Sequence, residues 1–518
     1  MFNTILNKID DVVWGIPTII LILATGLLLT IRARGVQFTQ LGRAFKQIFK
    51  KNEGQGELSG FSALCTALSA TIGTGNIVGV ATAIAAGGPG ALFWMWFAAI
   101  LGTATKFAEC MLAIKYREVK DDGHVLGGPF YTIEKGMGPK WKWLAMLFAI
   151  FGVLAGLLGI GTMTQINGIT SAVNMAFDPS SSHIAFAFGG AAESGKLIFV
   201  KGSTYLSSLD ANGISSLFGT VTSDGQISSL AHPYTWSTII GGIVVTICAA
   251  LVIIGGLKRI SKVAEKVVPA MAIIYVFLGI SVLIMNATKI PAAFALIFKS
   301  AFGWKAVAGG AMGFVFKQIT DSMQKGIARG IFSNEAGLGS APIAAAPVQT
   351  NEPVEQGLVN MTGTVIDTLI VCTMTGLAIV IALCNPSFEG GELKGVALTS
   401  AALTFDLGGD GISVKFLLML CLAFFAFTTI LGWDYYSEKC LEYISNGNMK
   451  HVMIYRILYI VAVAIGPYFT VNEVFTIADI TNGLMAIPNC ISLIVLSGVV
   501  AKETKTYLDK VSNPLANA

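Results

Sequence analysis

A group of small polar residues and glycines interrupts an otherwise apolar stretch, FSALCTALSATIGTGNIVGVATAIAAGGPG, that begins at Phe61. Two glycines and two polar residues form the core of the interruption, at Gly73, Thr74, Gly75 and Asn76. Glycine inside a helix costs about 1 kcal/mol relative to alanine, so the stretch predicts a broken helix. Backbone N–H and C=O groups freed at such a break can bind ions and charged solutes where the break lines a polar cavity. Close helix packing through small residues is the alternative.

Other polar side chains in apolar stretches carry atoms suited to cations. Thr428 and Thr429 place two neighbouring hydroxyls in FAFTTILGWDYY, shortly before Trp433. Hard cations prefer oxygen ligands, although a threonine hydroxyl in a helix also bonds to the carbonyls of its own helix. Lys106 and Glu109 lie three positions apart, and we expect them to pair on one helix face.

Composition indicates that the helices positioning these residues lie in a membrane. Hydrophobic residues make up 54% of the 518 residues and charged residues only 12%, with a mean hydropathy of +0.71, whereas soluble domains carry about 25% charged residues. The net charge of +4 is small and the basic residues are spread between apolar stretches, so no nucleic-acid partner is expected. The four histidines fall in loops or at a span end, without a serine–histidine or zinc pattern, which argues against an enzyme.

A search for apolar windows of about 20 residues predicts eleven membrane-spanning helices. They lie at 12–31, 61–86, 91–115, 141–168, 236–256, 264–286, 306–330, 356–384, 413–436, 452–470 and 474–500. The connections on one side hold 24 of the 34 basic residues, Lys325 and Arg329 included. The positive-inside rule therefore places the N-terminus outside and the C-terminus inside.

The ten spans after the first are predicted to form two inverted halves of five. The span 306–330 comes five spans after 61–86, and it too is interrupted by glycine and polar residues. Interrupted spans in corresponding positions point to the binding site of a secondary transporter, whereas a channel would favour a repeated filter loop. The predicted parts are an extra N-terminal helix with a basic loop (1–60), a first repeat (61–286) with an outer insertion (178–235), a second repeat (287–500) and a tail (501–518).

Several long motifs resemble the alanine/glycine:cation symporter family, the sodium:alanine symporters. They are ATIGTGN from Ala70, GGPGALFWMWFAAILG from Gly87, GGPFYTIEKGMG from Gly127, RGIFSNEAGLGSAPIAAA from Arg329, MTGTVIDT from Met361, LGWDYYSEKC from Leu431 and NGLMAIPN from Asn482. The resemblance runs from about Trp14 to Lys505, although the insertion is longer than expected for the family. It implies an all-α, leucine-transporter-like core and sodium-coupled uptake of alanine or glycine across the cell inner membrane.

The resemblance also implies where the co-transported sodium ion and the amino acid bind. Sodium is expected between carbonyls of the first broken span and two hydroxyls, among Ala70, Thr71, Gly73, Thr428 and Thr429. Free N–H groups at a half-helix N-terminus suit the carboxylate of a zwitterionic amino acid. The residues predicted to contact the amino acid are Thr71, Gly73, Thr74, Gly75, Asn76, Gln165, Gln318, Asp321, Gln324 and Trp433.

The substrate and the driving ion are left open by polar residues in the spans. Gln318 and Gln324 stand where relatives look more apolar, so a glutamine-selective carrier is an alternative. A carboxyl group of Asp321, Asp367 or Glu109 could hold a proton, which would allow proton-coupled transport. The expected partners are a small amino acid and the lipid bilayer, with no obligate protein partner.

Overall fold

The computed structural model describes most of the chain as a bundle of helices. The described residues are 2–50, 54–120, 124–178, 183–190, 197–205, 232–303, 312–390, 393–408, 412–469 and 471–512. The backbone alone is described at residues 2–3, 183–190, 197–205, 232–233, 312–318 and 471–472.

The helices follow one another in the order expected for a polytopic membrane protein. The first half contains α1 (Phe2–Val13), α2 (Ile16–Arg32), α3 (Val36–Thr39), α4 (Leu41–Gln47), α5 (Gly60–Thr71), α6 (Val80–Gly87), α7 (Gly90–Tyr116), α8 (Pro129–Tyr131), α9 (Lys142–Leu158), α10 (Met163–Phe177), α11 (Trp236–Ile253) and α12 (Gly256–Met285). The second half contains α13 (Ile290–Ala301), α14 (Met312–Asn334), α15 (Ala341–Ala345), α16 (Pro353–Thr364), α17 (Thr373–Leu383), α18 (Gly395–Leu407), α19 (Ile412–Ile444), α20 (Met449–Ile465), α21 (Val471–Val495) and α22 (Ser497–Ser512). Shorter helical segments are π-helical at Gly75–Gly79, Thr132–Met137 and Val365–Cys372, and 3-10 at Pro139–Trp141, Ala287–Lys289 and Gly466–Tyr468.

The prediction of a polytopic all-α membrane protein is confirmed. Within the described residues, nine helices are long and apolar enough to span a membrane, or ten when the bent pair Gly60–Thr71 and Gly75–Gly87 counts as one span. Each predicted span overlaps helix in the described part of the structure. The count of eleven stays a prediction, because Met312–Asn334, which overlaps the predicted span 306–330 from residue 312, is not among the apolar helices.

Burial separates the central helices from those at the perimeter. In Gly90–Tyr116, 83% of the most apolar window is buried, compared with 22% in Trp236–Ile253. Large apolar side chains such as Ile243 and Phe277 are more than half exposed on the peripheral helices. An apolar surface of this kind suits contact with lipid, whereas α7 lies among the broken helices and helps to position them.

The long connection between α10 and α11 contains a small antiparallel sheet in its described part. Three strands, β3 (His183–Gly190), β4 (Leu197–Tyr205) and β5 (His232–Thr235), pair in the order β4-β3-β5. The serine- and glycine-rich sequence of this insertion allows a small ordered cap or a flexible segment, and it favours a tolerated surface insertion. Its described part forms the three paired strands. Residues 179–182, 191–196 and 206–231 of the predicted insertion lie outside the described residues.

The first and the last described helices, α1 and α22, lie on opposite faces of the bundle. On the first, which we call the N-terminal face, α1 packs beside the start of α21. On the other, the C-terminal face, Lys115 at the end of α7 forms a 2.8 Å salt bridge with Glu503 of α22. The C-terminal face also carries a two-stranded hairpin, β1 (Glu118–Val119) with β2 (Val125–Leu126).

At the C-terminal face, one arginine joins segments that flank the broken helices. The Arg117 guanidinium donates to the main-chain oxygens of Val348 (2.6 Å), Ala346 (2.8 Å), Gln55 and Thr350 (both 2.7 Å). A parallel bridge between Leu58 and Val348 connects the same two segments. The chain that precedes α5 and the chain that follows α15 are therefore held together here.

The predicted side of two basic residues is wrong. Lys325 and Arg329 were assigned to the basic connections, but α14 continues to Asn334, beyond the predicted end at 330. Both side chains line a cavity on the N-terminal face, which α1 also lines through Asp10. Hydropathy ended the span too early because the last turns of this helix are polar.

Candidate substrate and ion site

The first break separates α5 from the π-helical segment at Gly75–Gly79. Ile72 leaves the helical conformation, with ψ at 94°, and the two halves meet at an angle of 49°. The N–H of Gly73 donates to Asn76 Oδ1 (2.9 Å), and the N–H of Thr74 donates to Gln165 Oε1 (3.0 Å). The break thus presents main-chain donors that side-chain oxygens now satisfy.

The second break lies between α14 and α15, in the glycine-rich run GIFSNEAGLGSAP, and therefore after residue 330, where the interrupted span was predicted to end. Glu335 has a positive φ of 57°, which is uncommon for a residue other than glycine. Its carboxylate accepts hydrogen bonds from Trp433 Nε1 (2.7 Å) and Ser340 Oγ (2.6 Å). These bonds attach the break to α19 and so stabilise a backbone that is costly by itself.

The two breaks face each other across a closely packed contact. A Cβ atom added to Gly75 would lie 3.1 Å from the Cα of Ser333, which leaves little room for any larger residue. Asn76 Nδ2 donates to Asp367 Oδ1 (2.6 Å), and Ser333 Oγ donates to Asp367 Oδ2 (2.9 Å). The buried Asp367 carboxylate, on the π-helical segment at Val365–Cys372, therefore links both breaks.

The first break also meets the two neighbouring threonines of α19. Thr429 donates to the main-chain oxygen of Ile72 (3.3 Å) and to that of Phe425 (3.1 Å). A Cβ atom added to Gly73 would lie 2.5 Å from Thr429 Oγ1. The Thr428 hydroxyl bonds to carbonyls of its own helix, at Phe424 and Phe425. The structure thus brings Thr429 to the break more directly than Thr428.

Several residues of the predicted ion and substrate sets gather at this contact. Ala70 packs against α19, where a Cβ atom added to Gly432 would lie 2.8 Å from the Ala70 Cβ. Gln165 reaches the break from the start of α10, and Trp433 reaches the second break through Glu335. Thr71 turns its hydroxyl back to the carbonyls of Ala67 and Leu68 in its own helix.

Other predicted substrate residues do not gather there. Gln324 donates to the main-chain oxygen of Trp14 (3.1 Å), at the corner between α1 and α2. The Asp321 carbonyl lies beside Gly87, at the far end of α6. Twelve helical residues separate Asp321 from Ser333, a distance of about 18 Å along the axis. The side chain of Gln318 lies outside the described residues.

Two positions that the sequence did not single out take part in the contact. Ser333 belongs to the quoted motif at the second break, so the motif itself was the available signal. Ile72 contributes only a main-chain oxygen, and its side chain gave no indication of that role. A third finding concerns Glu109, which accepts from the Gly337 N–H (2.9 Å) and Asn489 Nδ2 (2.6 Å). No hydrogen bond joins it to Lys106 in the described part of the chain, so the predicted Lys106–Glu109 pair is not formed.

An ion cluster at the C-terminal face connects the elements that carry the site. His124 lies between Glu57, 3.3 Å from its Nδ1, and Glu442, 3.1 Å from its Nε2, and Glu442 also pairs with Lys439 (2.8 Å). Hydrogen bonds to Glu442 and then to Glu57 raise the pKa of His124 to about 9. Burial works against ionisation of Glu57, but the bonds from His124 and the Val125 N–H keep its pKa below the ordinary value. We call these four residues the His124 cluster.

Comparison with known proteins decides the family. Residues 1–200 and 211–517 match the model of the sodium:alanine symporter family. The chain belongs to the sodium:alanine symporter family. The match omits only residues 201–210 of the insertion 178–235, which was expected to be longer than in the family, so the family model matches most of this insertion. Membership makes the chain a symporter and not an enzyme.

Three relatives illustrate the range of the family. The chain is 44% identical over 510 residues to an uncharacterized transporter of Haemophilus influenzae, covering 98% of this chain and 96% of the relative. It is 40% identical over 525 residues to the sodium/alanine symporter AgcS of Methanococcus maripaludis, covering all of both. It is 34% identical over 500 residues to the probable sodium/glutamine symporter GlnT of Bacillus subtilis, covering 96% and 89%. The family and these relatives support amino-acid:cation symport in a membrane.

Proposed function

We propose that this protein is a sodium-coupled symporter that carries alanine or glycine into the cell. The contact between the two breaks and Thr429 supports the proposal most, because it combines main-chain N–H groups that are held only by side-chain amides with a hydroxyl beside a carbonyl. The proposed setting is the cell inner membrane, with the N-terminal face outside and the C-terminal face in the cytoplasm. Most basic connections lie at the C-terminal face, which agrees with that orientation.

The carboxylate of the amino acid binds at the first break. The N–H groups of Gly73 and Thr74 are held by neutral acceptors on Asn76 and Gln165. A carboxylate is a stronger acceptor than an amide oxygen, and hydrogen bonds to charged groups contribute about 1.5–3 kcal/mol. The incoming carboxylate therefore replaces these amides, and Gln165 and Asn76 act as temporary partners that keep the N–H groups in position.

The ammonium group and the side chain of the amino acid lie between the breaks. Unwound carbonyls of both breaks supply acceptors for the ammonium group. The space between Gly75 and its neighbours Ser333 and Phe332 is narrow, because a Cβ atom added to Gly75 would lie 3.1–3.2 Å from both. Trp433 limits the space from α19. A pocket of this size favours a methyl group or a hydrogen over a longer side chain.

Sodium, the co-transported ion, binds where Thr429 meets the Ile72 carbonyl. The remaining ligands come from carbonyls of Ala70, Thr71 or Gly73 and from the Thr428 hydroxyl, once each threonine exchanges its own-helix bond for the ion. Oxygen ligands suit a hard cation. Since the ion and the carboxylate both fix the conformation of Ile72–Thr74, each raises the affinity for the other, with a coupling energy of roughly 1–3 kcal/mol.

Alternating access follows from the repeat organisation. The proposed repeats, 61–286 and 287–500, each contribute one broken helix, and the connection 178–235 belongs to the first. One bundle rocks against the other around the fixed site, opening it to the two faces in turn. The bilayer and the amino acid are the only partners that this mechanism needs.

Uptake into proteoliposomes tests the proposal directly. Labelled alanine, glycine and glutamine are offered with either a sodium gradient or a proton gradient. We expect alanine or glycine to accumulate with inward sodium alone. Accumulation driven only by protons, or no accumulation of any of the three, would refute the proposal.

A glutamine carrier is the second candidate. The Thr74 hydroxyl is buried and has no hydrogen-bond partner in the described part of the chain. It could receive the amide of a longer substrate, and one relative is named a probable sodium/glutamine symporter. In the same assay, sodium-driven uptake of glutamine above that of alanine would favour this reading. Loss of that preference in Thr74→Val would assign it to the hydroxyl.

A further inference from the structure

The cavity on the N-terminal face has a volume of about 490 Å³ and opens above the site. Its lining carries charges of both signs, from Asp10, Asp11, Asp479, Lys325, Arg329 and Lys394. The first two belong to α1, which the repeat organisation leaves without a role. The cavity is large enough for a small amino acid together with several water molecules.

A two-layer floor separates this cavity from the facing breaks. Arg329 forms a bidentate pair with Asp479, at 2.6 and 2.9 Å. Beneath it the rings of Phe332 and Phe475 lie 5.4 Å apart, and Arg329 stacks on both. Phe332 in turn borders Gly75 at the first break. The Arg329–Asp479 pair and Phe475 line the cavity, and Phe332 connects them to the first break.

The corner between α1 and α2 supports the floor. Trp14 Nε1 donates to the main-chain oxygen of Asp479 (2.7 Å), and Gln324 Nε2 donates to the main-chain oxygen of Trp14 (3.1 Å). Asp10 lies one turn before Trp14 and interacts electrostatically with Asp479, Arg329 and Lys325. α1 is therefore part of the entrance and not a separate anchor.

The unmatched polar groups of the cavity indicate the chemistry of its ligand. Asp10 Oδ1 is a buried acceptor without a hydrogen-bond partner within the described residues. No salt bridge joins Lys325 or Lys394 to a carboxylate in the described part of the chain. An acceptor for an ammonium group and donors for a carboxylate thus line one space. A zwitterion satisfies both, whereas a simple cation or anion satisfies one.

We propose that this cavity is a first binding site for the zwitterionic amino acid, in which Asp10 receives the ammonium group and Lys325 receives the carboxylate. The inference rests on the proposed function and adds an entry step to it. The bound zwitterion also explains how the floor opens, because its carboxylate can replace Asp479 on Arg329 while its ammonium group replaces Arg329 on Asp479. Ion-pair exchange of this kind keeps both buried charges paired throughout.

Alanine uptake by charge-neutral variants tests this entry site. Asp10→Asn and Lys325→Gln are each expected to raise the half-saturating alanine concentration about 10-fold or more, in line with the loss of one charged hydrogen bond. The maximal rate and the half-saturating sodium concentration are expected to stay as in the unaltered protein. Lys8→Gln, on an exposed position of α1, is the matched control and should change none of these values.

The outcomes separate the entry site from the proposed function. One outcome is that the unaltered protein shows sodium-driven alanine uptake and that both variants take up alanine at the same rate at low alanine concentration. That result would refute the entry site and leave the proposed function standing. A variant that lowers the maximal rate or the sodium affinity instead has a structural role, and that result also refutes the entry site. Absence of uptake by the unaltered protein overturns both proposals.

Discussion

The hydroxyl oxygen of Thr429 lies 3.3 Å from the main-chain oxygen of Ile72, at the residue where α5 leaves the helical conformation. A carbonyl at the end of an α-helix has no partner within its helix and is satisfied from outside. Here the partner is a hydroxyl from a helix more than 350 residues away in the chain. The pair brings two oxygen atoms to one point inside the bundle.

Removing the hydroxyl at this point is expected to weaken sodium binding. Thr429→Val keeps the shape of the side chain but loses one oxygen. Loss of a bond to a charged partner costs about 1.5 kcal/mol or more. The half-saturating sodium concentration for alanine uptake should therefore rise about 10-fold. Thr428→Val is the matched control, because its hydroxyl bonds to its own helix, and it should give a smaller rise. An unchanged half-saturating sodium concentration in Thr429→Val would refute the proposed ion site.

A methyl group at Gly73 is expected to abolish transport. The added Cβ would lie 2.5 Å from Thr429 Oγ1 and 2.9 Å from Gln165 Oε1, so Gly73→Ala must displace both side chains from the break. Gly79→Ala is the control, since its Cβ meets only the Thr74 carbonyl oxygen at 3.9 Å. Uptake of labelled alanine and the amount of folded protein in the membrane are measured together. Normal uptake by Gly73→Ala would exclude close packing at this break.

Neutralising Asp367 is expected to destabilise the fold. Three side chains, those of Asn76, Ser333 and Thr368, donate hydrogen bonds to this carboxylate. In Asp367→Asn an NH₂ group replaces one carboxylate oxygen and cannot accept a hydrogen bond, so one of these donors loses its partner. One unsatisfied buried group costs about 1–3 kcal/mol. Thermal unfolding in detergent should therefore begin at a lower temperature. Asp321→Asn is the control, and unchanged alanine uptake in that variant would confirm that Asp321 lies outside the substrate site.

The His124 cluster predicts a stability change at alkaline pH. The pKa of His124 is about 9 in the folded protein, above its ordinary value of 6.5. A raised pKa means that protonated His124 contributes stability in full below pH 6.5, and that this contribution is lost as the pH rises through 9. Because the loss is spread between these two pKa values, the unfolding temperature should fall between about pH 6.5 and 9. His124→Gln should reduce that fall, whereas His451→Gln, on an exposed position, should leave it as in the unaltered protein.

The breaks could be predicted from the sequence because glycine residues within an apolar run destabilise a continuous helix. Gly73 and Gly75 interrupt an apolar run, and the second interruption lies in a motif rich in glycine. The nearness of Thr429 to the first break was predicted from the family resemblance, and the structure places its hydroxyl there. In both cases the signal is local in the chain or is carried by a long motif.

The level of the α14 side chains relative to the break could not be predicted from the sequence in the same way. Asp321 and Gln324 look suited to a substrate because they are polar residues in a span, but polarity does not specify the level of a residue along a helix. The break is set by Glu335, whose positive φ has no sequence signal because the residue is not glycine. Similarly, Glu109 accepts hydrogen bonds from Gly337 and Asn489, which are distant in sequence, and not from the nearby Lys106.

Arg117 has a mechanical consequence for the broken helices. Its guanidinium fastens the segment before α5 to the segment after α15 through four carbonyl oxygens. These bonds join the two segments at the C-terminal face. If the proposed alternating access moves the broken helices, we expect them to bend at Ile72–Gly73 and at Glu335–Gly339, which lie at the proposed binding site.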